Sequence, residues 1–127
     1  MISAIGIKKV LGSLYGRWHT DGDIFKTFIE KVLCPALNEG DIVIMDNVNF
    51  HKIAGIEDLI KSRGAELIYL PPYSPDFSPI ENMWSKIKSV IRKCAPRTPK
   101  KFCSAMKKAF AEITKTDLEG WFKHCGY

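Results

Sequence analysis

Asp46 closes the apolar run IVIMD, and Glu81 stands inside the proline-rich stretch PPYSPDFSPIENMW, with 34 residues between them. Two carboxylates delivered to one edge of an α/β sheet can hold divalent cations. Paired cations about 3.5–4 Å apart are a standard device for breaking and joining phosphodiester bonds. Each acid also has a plainer explanation. An Asp after a strand often begins a turn, and Asn47 strengthens that reading. Ser78-Pro79-Ile80-Glu81 fits a capping box, in which the third helical residue reaches back to the cap amide. The catalytic reading gains weight only from the two together, because the loop that carries Glu81 leaves the strand next to Asp46. His51 heads a helix near the same edge and is a weak candidate for contact with DNA. Lys88, Arg92 and Lys93 follow Glu81 along its helix and are further weak candidates. Trp84 and Tyr73 are shapes on which bases could stack, although Trp84 lies on a core stripe.

The elements that must position these groups are legible from pattern. Residues 2–10 and 11–19 read as an antiparallel pair of short strands around Gly12. A helix starts at Thr20 or Asp21 with Ile24, Phe25, Phe28, Ile29, Val32 and Leu33 inward, and Pro35 disturbs its last turn. Asp41–Met45 is a nearly continuous apolar run too short for a helix and suits a strand buried on both faces of a parallel or mixed sheet. His51–Arg63 then reads as a helix ended by Gly64, and Glu66–Leu70 as the next strand. A right-handed strand–helix–strand crossover puts both strand ends at one edge, where open α/β sheets place their chemistry. Beyond the stiff loop PPYSPDFSP, Ser78 caps a long helix whose stripe is Ile80, Trp84, Ile87 and Ile91, with Glu81, Ser85, Lys88 and Arg92 on another face. Thr98-Pro99 starts a further helix with Phe102, Met106, Ala109, Phe110 and Ile113 inward. A short helix over Asp117–His124 ends the chain.

Composition narrows the classes. A chain of 127 residues is one domain or a piece of one, able to bury about two thirds of its unfolded surface. No stretch approaches the ~20 apolar residues that span a bilayer, and the N-terminus lacks the order of a secretory signal. The expected location is the cytoplasm, with no membrane partner. Four cysteines and three histidines show no CxxC pair, which argues against structural zinc; Cys34 and Cys103 are expected as buried, reduced thiols. Charge is divided unevenly: residues 1–81 hold 8 Lys/Arg and 11 Asp/Glu, whereas residues 82–127 hold 11 and 3. A basic half that begins right after a candidate phosphodiester site points to nucleic acid.

IMDNVNFHK followed by LIYLPPYSPDFSPIENMWSKIK closely resembles the transposases of bacterial insertion sequences in the mariner-related group, which carry a DDE endonuclease domain. The likeness is strong over about residues 40–95, and WFKHCGY is similar to the family's terminus. The resemblance implies an α/β ribonuclease-H-like mixed sheet flanked by helices, Mg²⁺ or Mn²⁺ as cofactor, and cut-and-paste transposition of DNA. By position, Asp46 corresponds to the second catalytic and metal-binding acid and Glu81 to the third. The family's first aspartate lies on a strand before the segment that opens this chain, and no acid precedes Asp21. The expectation is a partial DDE domain over 1–127 lacking the first strand of the fold, with 96–127 as a helical extension. It should be inactive alone and marginally stable, or paired through its strand edges with itself or with a longer transposase chain. A second reading is a non-catalytic remnant that binds DNA or interferes with intact transposase. A third, an α/β ligand-binding module with Asp46 at its switch point, ranks last because no glycine-rich phosphate loop follows any strand.

Overall fold

The structure, a computed structural model, describes residues 2–14, 22–46, 55–72 and 74–127. The expected strand residues beyond Leu14, the helix onset at Thr20 or Asp21, His51, Ile53 and Tyr73 lie outside the described residues. The architecture is mixed α/β and divides into two compact units, Met1–Ile5 with Val10–Pro75, and Gly6–Lys9 with Asp76–Tyr127.

In the first unit β1 (Ile2–Ile5) pairs antiparallel with β2 (Val10–Leu14), Ile2 opposite Leu14. The Ser3 hydroxyl donates to the Gly12 carbonyl at 3.1 Å and lies 2.6 Å from the Ser13 hydroxyl, so the pair is tied by side chains as well as by its ladder. The turn of this hairpin is Gly6–Lys9, closed by the Gly6 amide donating to the Lys9 carbonyl at 2.9 Å. The sequence expectation of strands meeting around Gly12 is therefore corrected: Gly12 lies inside β2. A Cβ there would stand 2.3 Å from Cγ1 of Val32, so the glycine serves a close approach between strand and helix rather than a turn.

α1 (Gly22–Phe28) widens into a π-helical turn over Ile29–Leu33 and closes as a 3-10 turn over Cys34–Ala36. The Cys34 amide donates to the Ile29 carbonyl, five residues back. Pro35 accounts for this departure, since its ring crowds the carbonyl four residues earlier and it has no N–H to continue the ladder. Phe25, Phe28, Ile29 and Leu33 are buried as their 3.6-residue spacing requires.

β3 (Ile42–Met45) and β4 (Glu66–Tyr69) are parallel, with α2 (Ile56–Lys61) between them in the chain. Gly55 has φ 93°, a left-handed conformation that glycine tolerates, and the described part of the helix, α2, begins at the next residue, Ile56. Ile56 and Ile60 are 0% exposed and join Phe28, Ile29, Leu33 and Met45 in one core. Gly64, at φ 75°, ends the helical segment as expected. The two strand pairs form separate two-stranded sheets among the described residues. Val43, Met45, Leu67 and Tyr69 pack on the core, while Ile42, Ile44 and Ile68 on the other face are 57%, 36% and 47% exposed, so β3 is buried on one face and not, as expected, on both.

The second unit holds three helices, α3 (Pro79–Cys94), α4 (Pro99–Ala111) and α5 (Lys115–His124), with α3 packed on both others. The buried stripe of α3 is Pro79, Met83, Ile87 and Val90. Ile80, Trp84 and Ile91, expected at its centre, flank it half-buried. On α4 the buried positions are Ala105, Met106 and Ala109, and Phe102 is 42% exposed, against expectation. Thr98 caps α4 through its side chain, which accepts from the Lys101 amide at 3.1 Å. α5 starts two residues earlier than its pattern suggested, because Thr114 and Asp117 form a reciprocal capping box.

Candidate metal and nucleic-acid site

Asp46 is the residue after β3 and is exposed. The Met45 carbonyl accepts from the Leu70 amide at 2.7 Å, so the parallel ladder runs to the last residue before Asp46. Both strands of a parallel pair end at one edge, and the loop beginning at Pro71 therefore leaves from the edge that carries Asp46. That is the placement which the strand–helix–strand pattern predicts, and it lies wholly within the first unit.

Glu81 is the third residue of α3, in the second unit, and its side chain is exposed. The Ser78 side chain makes no cap hydrogen bond; its carbonyl accepts from the Glu81 amide at 3.1 Å. The two-way capping box that would have explained the Ser78–Glu81 pair is thus not formed, and the carboxylate is left for another use. Ser85, Lys88 and Arg92 are exposed on the same face, opposite the buried stripe, as their spacing requires. Arg92 Nε donates to the Lys88 carbonyl at 3.3 Å. Lys93 is also exposed but lies round the helix from that face. His51 falls outside the described residues.

The turn that presents Glu81 is braced by the chain's last residues, a support that the sequence did not reveal. The Tyr127 hydroxyl donates to the carbonyl of Phe77, in the 3-10 turn Pro75–Phe77 just before α3, at 2.7 Å. Asn82 Nδ2 donates to Cys125 Sγ at 3.8 Å. Lys86, one and a half turns further along α3, donates to the Glu112 carbonyl at 2.7 Å and forms a short ion pair with Asp117. The hydrogen bond from Lys86, with help from the Thr114 amide, holds the Asp117 carboxyl below its ordinary range. Two oxygen atoms near helix ends, Glu112 O and Asp117 Oδ2, therefore fasten α5 to the middle of α3.

Carboxylate oxygens suit a hard divalent cation, so the chemistry of Asp46 and Glu81 fits Mg²⁺ or Mn²⁺. Their number is short of a full set: no group of three or more His, Cys, Asp or Glu side chains is assembled among the described residues. Cysteine does not fill the gap. Cys34 and Cys125 are buried, and burial pushes both thiols up, away from the thiolate that binds metal. Cys94 and Cys103 are exposed, the latter against the expectation of a buried thiol. No helix among the described residues is long and apolar enough to cross a membrane.

No curated protein and no solved structure matches the chain. The family model of the DDE superfamily endonucleases does match, over residues 15–102. This span holds both strands of the parallel pair, Asp46, the proline-rich loop and Glu81. With its mixed α/β fold compatible with such a nuclease domain, the chain belongs to the DDE superfamily endonucleases.

Proposed function

We propose that this chain is the carboxyl-terminal part of a transposase catalytic domain of the mariner-related insertion-sequence group, acting on DNA at transposon ends and target. Asp46 and Glu81 are the second and third of its metal-binding acids. The observation that carries the reading is the pair of positions within the family match: an exposed Asp at the carboxyl end of a parallel strand, and an exposed Glu in a helix's first turn with its capping role unfilled. A bound divalent cation supplies stabilisation of phosphodiester oxygens and a readily deprotonated water. The chain's own contribution is to offer two carboxylates, one seated by the β3–β4 ladder and one by the braced start of α3. Exposed Lys88 and Arg92, on the face of Glu81, neutralise the approaching backbone.

The same reading makes 1–127 a partial ribonuclease-H-like domain, with 96–127 as an extension, inactive until another strand supplies the first aspartate. Two features support it. Among the described residues the strand pairs β1–β2 and β3–β4 form separate two-stranded sheets. Ile42, Ile44 and Ile68 are uncovered on one face of the parallel pair, although parallel sheets are normally covered on both. The remnant that binds DNA without cutting it is favoured by the same shortage of carboxylates.

Mn²⁺ titration of the full chain by calorimetry, beside plasmid nicking, tests the site. Asp46→Asn and Glu81→Gln are each expected to weaken Mn²⁺ binding at least about tenfold, the effect of losing a charged ligand, while Asp58→Asn leaves it unchanged. Binding indifferent to both substitutions would remove these residues from the metal site. Nicking by the unaided chain would overturn its inactivity.

A further inference from the structure

α4 reads PKKFCSAMKKAFA and contains no acidic residue. Its lysines come as two pairs, Lys100–Lys101 and Lys107–Lys108, seven residues apart. Seven residues are two helical turns, so the pairs stack on one side of the helix about 10 Å apart. That side is opposite Ala105, Met106 and Ala109, which are buried, and all four lysines are exposed. Elsewhere in the chain Lys31, Lys61, Lys86 and Lys115 stand beside carboxylates. None of the four α4 lysines forms an ion pair among the described residues. A solvated helix face ordinarily interleaves both signs along i, i+4 rows; this one has a single sign, and two of its cations sit in the first turn, where the helix macrodipole opposes them.

We propose that this face of α4 is a docking surface for the phosphate backbone of double-stranded DNA. The proposal rests on the reading of the chain as a DNA-acting protein and extends it to a helix of which the family match covers only the first four residues. The side chains specify the mode of contact. Lysine is a point charge suited to phosphate, and α4 carries no Arg, Asn or Gln to read base edges. Ser104, between the two pairs, turns its hydroxyl back to the Lys100 carbonyl at 3.1 Å. The surface therefore positions DNA without choosing its sequence. No aromatic ring lies on the lysine side, since Phe102 and Phe110 project round the helix from it, so it lacks the stacking platform that single strands require.

Fluorescence anisotropy of the full chain on a 25-base-pair duplex, at a series of salt concentrations, reads the surface directly. Each phosphate neutralised contributes about 0.9 to the slope of log affinity against log salt. The variant carrying K100Q, K101Q, K107Q and K108Q is expected to lower that slope by about three, equally for unrelated duplex sequences. K31Q with K61Q leaves it unchanged, and arginine at the four α4 positions restores it, with circular dichroism verifying that each variant keeps its helices. A slope that moves by less than about one, a loss confined to one sequence, or an equal loss on single strands overturns the proposal. Asp46→Asn with Glu81→Gln separates the two readings: a failed metal site leaves the lysine-dependent slope intact, and a failed surface leaves Mn²⁺ binding intact.

Discussion

The two units solve the problem of holding one carboxylate each by different means. In the first, the position of Asp46 follows from backbone pairing and an apolar core: Met45 is locked to Leu70 by a ladder hydrogen bond and packs among Ile56, Ile60 and Phe28. In the second, the start of α3 is tied to the end of the chain by polar contacts, Tyr127 to Phe77, Asn82 to Cys125 and Lys86 to Asp117, beside its buried Pro79 and Met83. The first unit still exposes isoleucines on the outer face of its parallel strands, whereas the second exposes mainly lysines on α3 and α4. An apolar surface is left where strands are few, and a cationic one along the helices. Both units keep a buried core, and the start of α3 adds directed hydrogen bonds to its own, which respond differently from burial to substitution, pH and salt.

The strongest way to break this comparison is to cut each core. Ile60→Ala and Met83→Ala each remove a fully buried side chain and should each cost about 2–5 kcal/mol. Hydrogen exchange should show Ile60→Ala loosening first the amides of β3, β4 and α2, and Met83→Ala those of α3 to α5. Identical patterns from both would show that the units are not energetically separate.

A smaller effect sharpens the polar side of it. Asp117→Asn removes the charge that pairs with Lys86 and weakens the capping box of α5, and should cost about 1–2 kcal/mol. Because the folded carboxyl is held low, its contribution is fully present above the ordinary carboxylate value of about 4 and disappears as pH falls through the depressed folded value. Stability measured by urea melts should therefore decline less steeply on acidification in Asp117→Asn than in the parent chain, while Ile60→Ala keeps the parent's slope. Smallest of all, Tyr127→Phe deletes one partly solvated hydrogen bond to Phe77 and should cost about 0.5–1 kcal/mol, with exchange rising at the first turn of α3 and not in β3.

Much of this molecule was readable before any coordinates. The runs IVIM and ELIY, separated by a helical pattern, read as the two strands of a strand–helix–strand unit, and Asp46 falls at the edge where both end, as that reading requires. The exposed face of α3 with Glu81, Lys88 and Arg92 follows from spacing, whereas the buried stripe, expected at Ile80, Trp84, Ile87 and Ile91, lies at Pro79, Met83, Ile87 and Val90. Errors arose where a residue had two uses. Gly12 looked like a turn and proved to be a point of contact with Val32. Ser78 and Glu81 matched a capping box, yet the box formed at Thr114 and Asp117. Phe102 stands three, four and seven residues before Ala105, Met106 and Ala109, on their side of α4 by spacing, yet it is 42% exposed, and Cys103 beside it is exposed as well.

The sequence by itself determined the main strands and helices among the described residues, the superfamily, and the sign of the charge on α3 and α4, since each depends on residue identity at short spacing. Only the tertiary structure decided which half-apolar helix face is buried and which glycine is a turn. It alone also showed that the last residue of the chain reaches back 50 positions to the carbonyl of Phe77. Those outcomes depend on which surfaces meet, and contact between residues distant in the chain leaves no periodicity in the sequence to read.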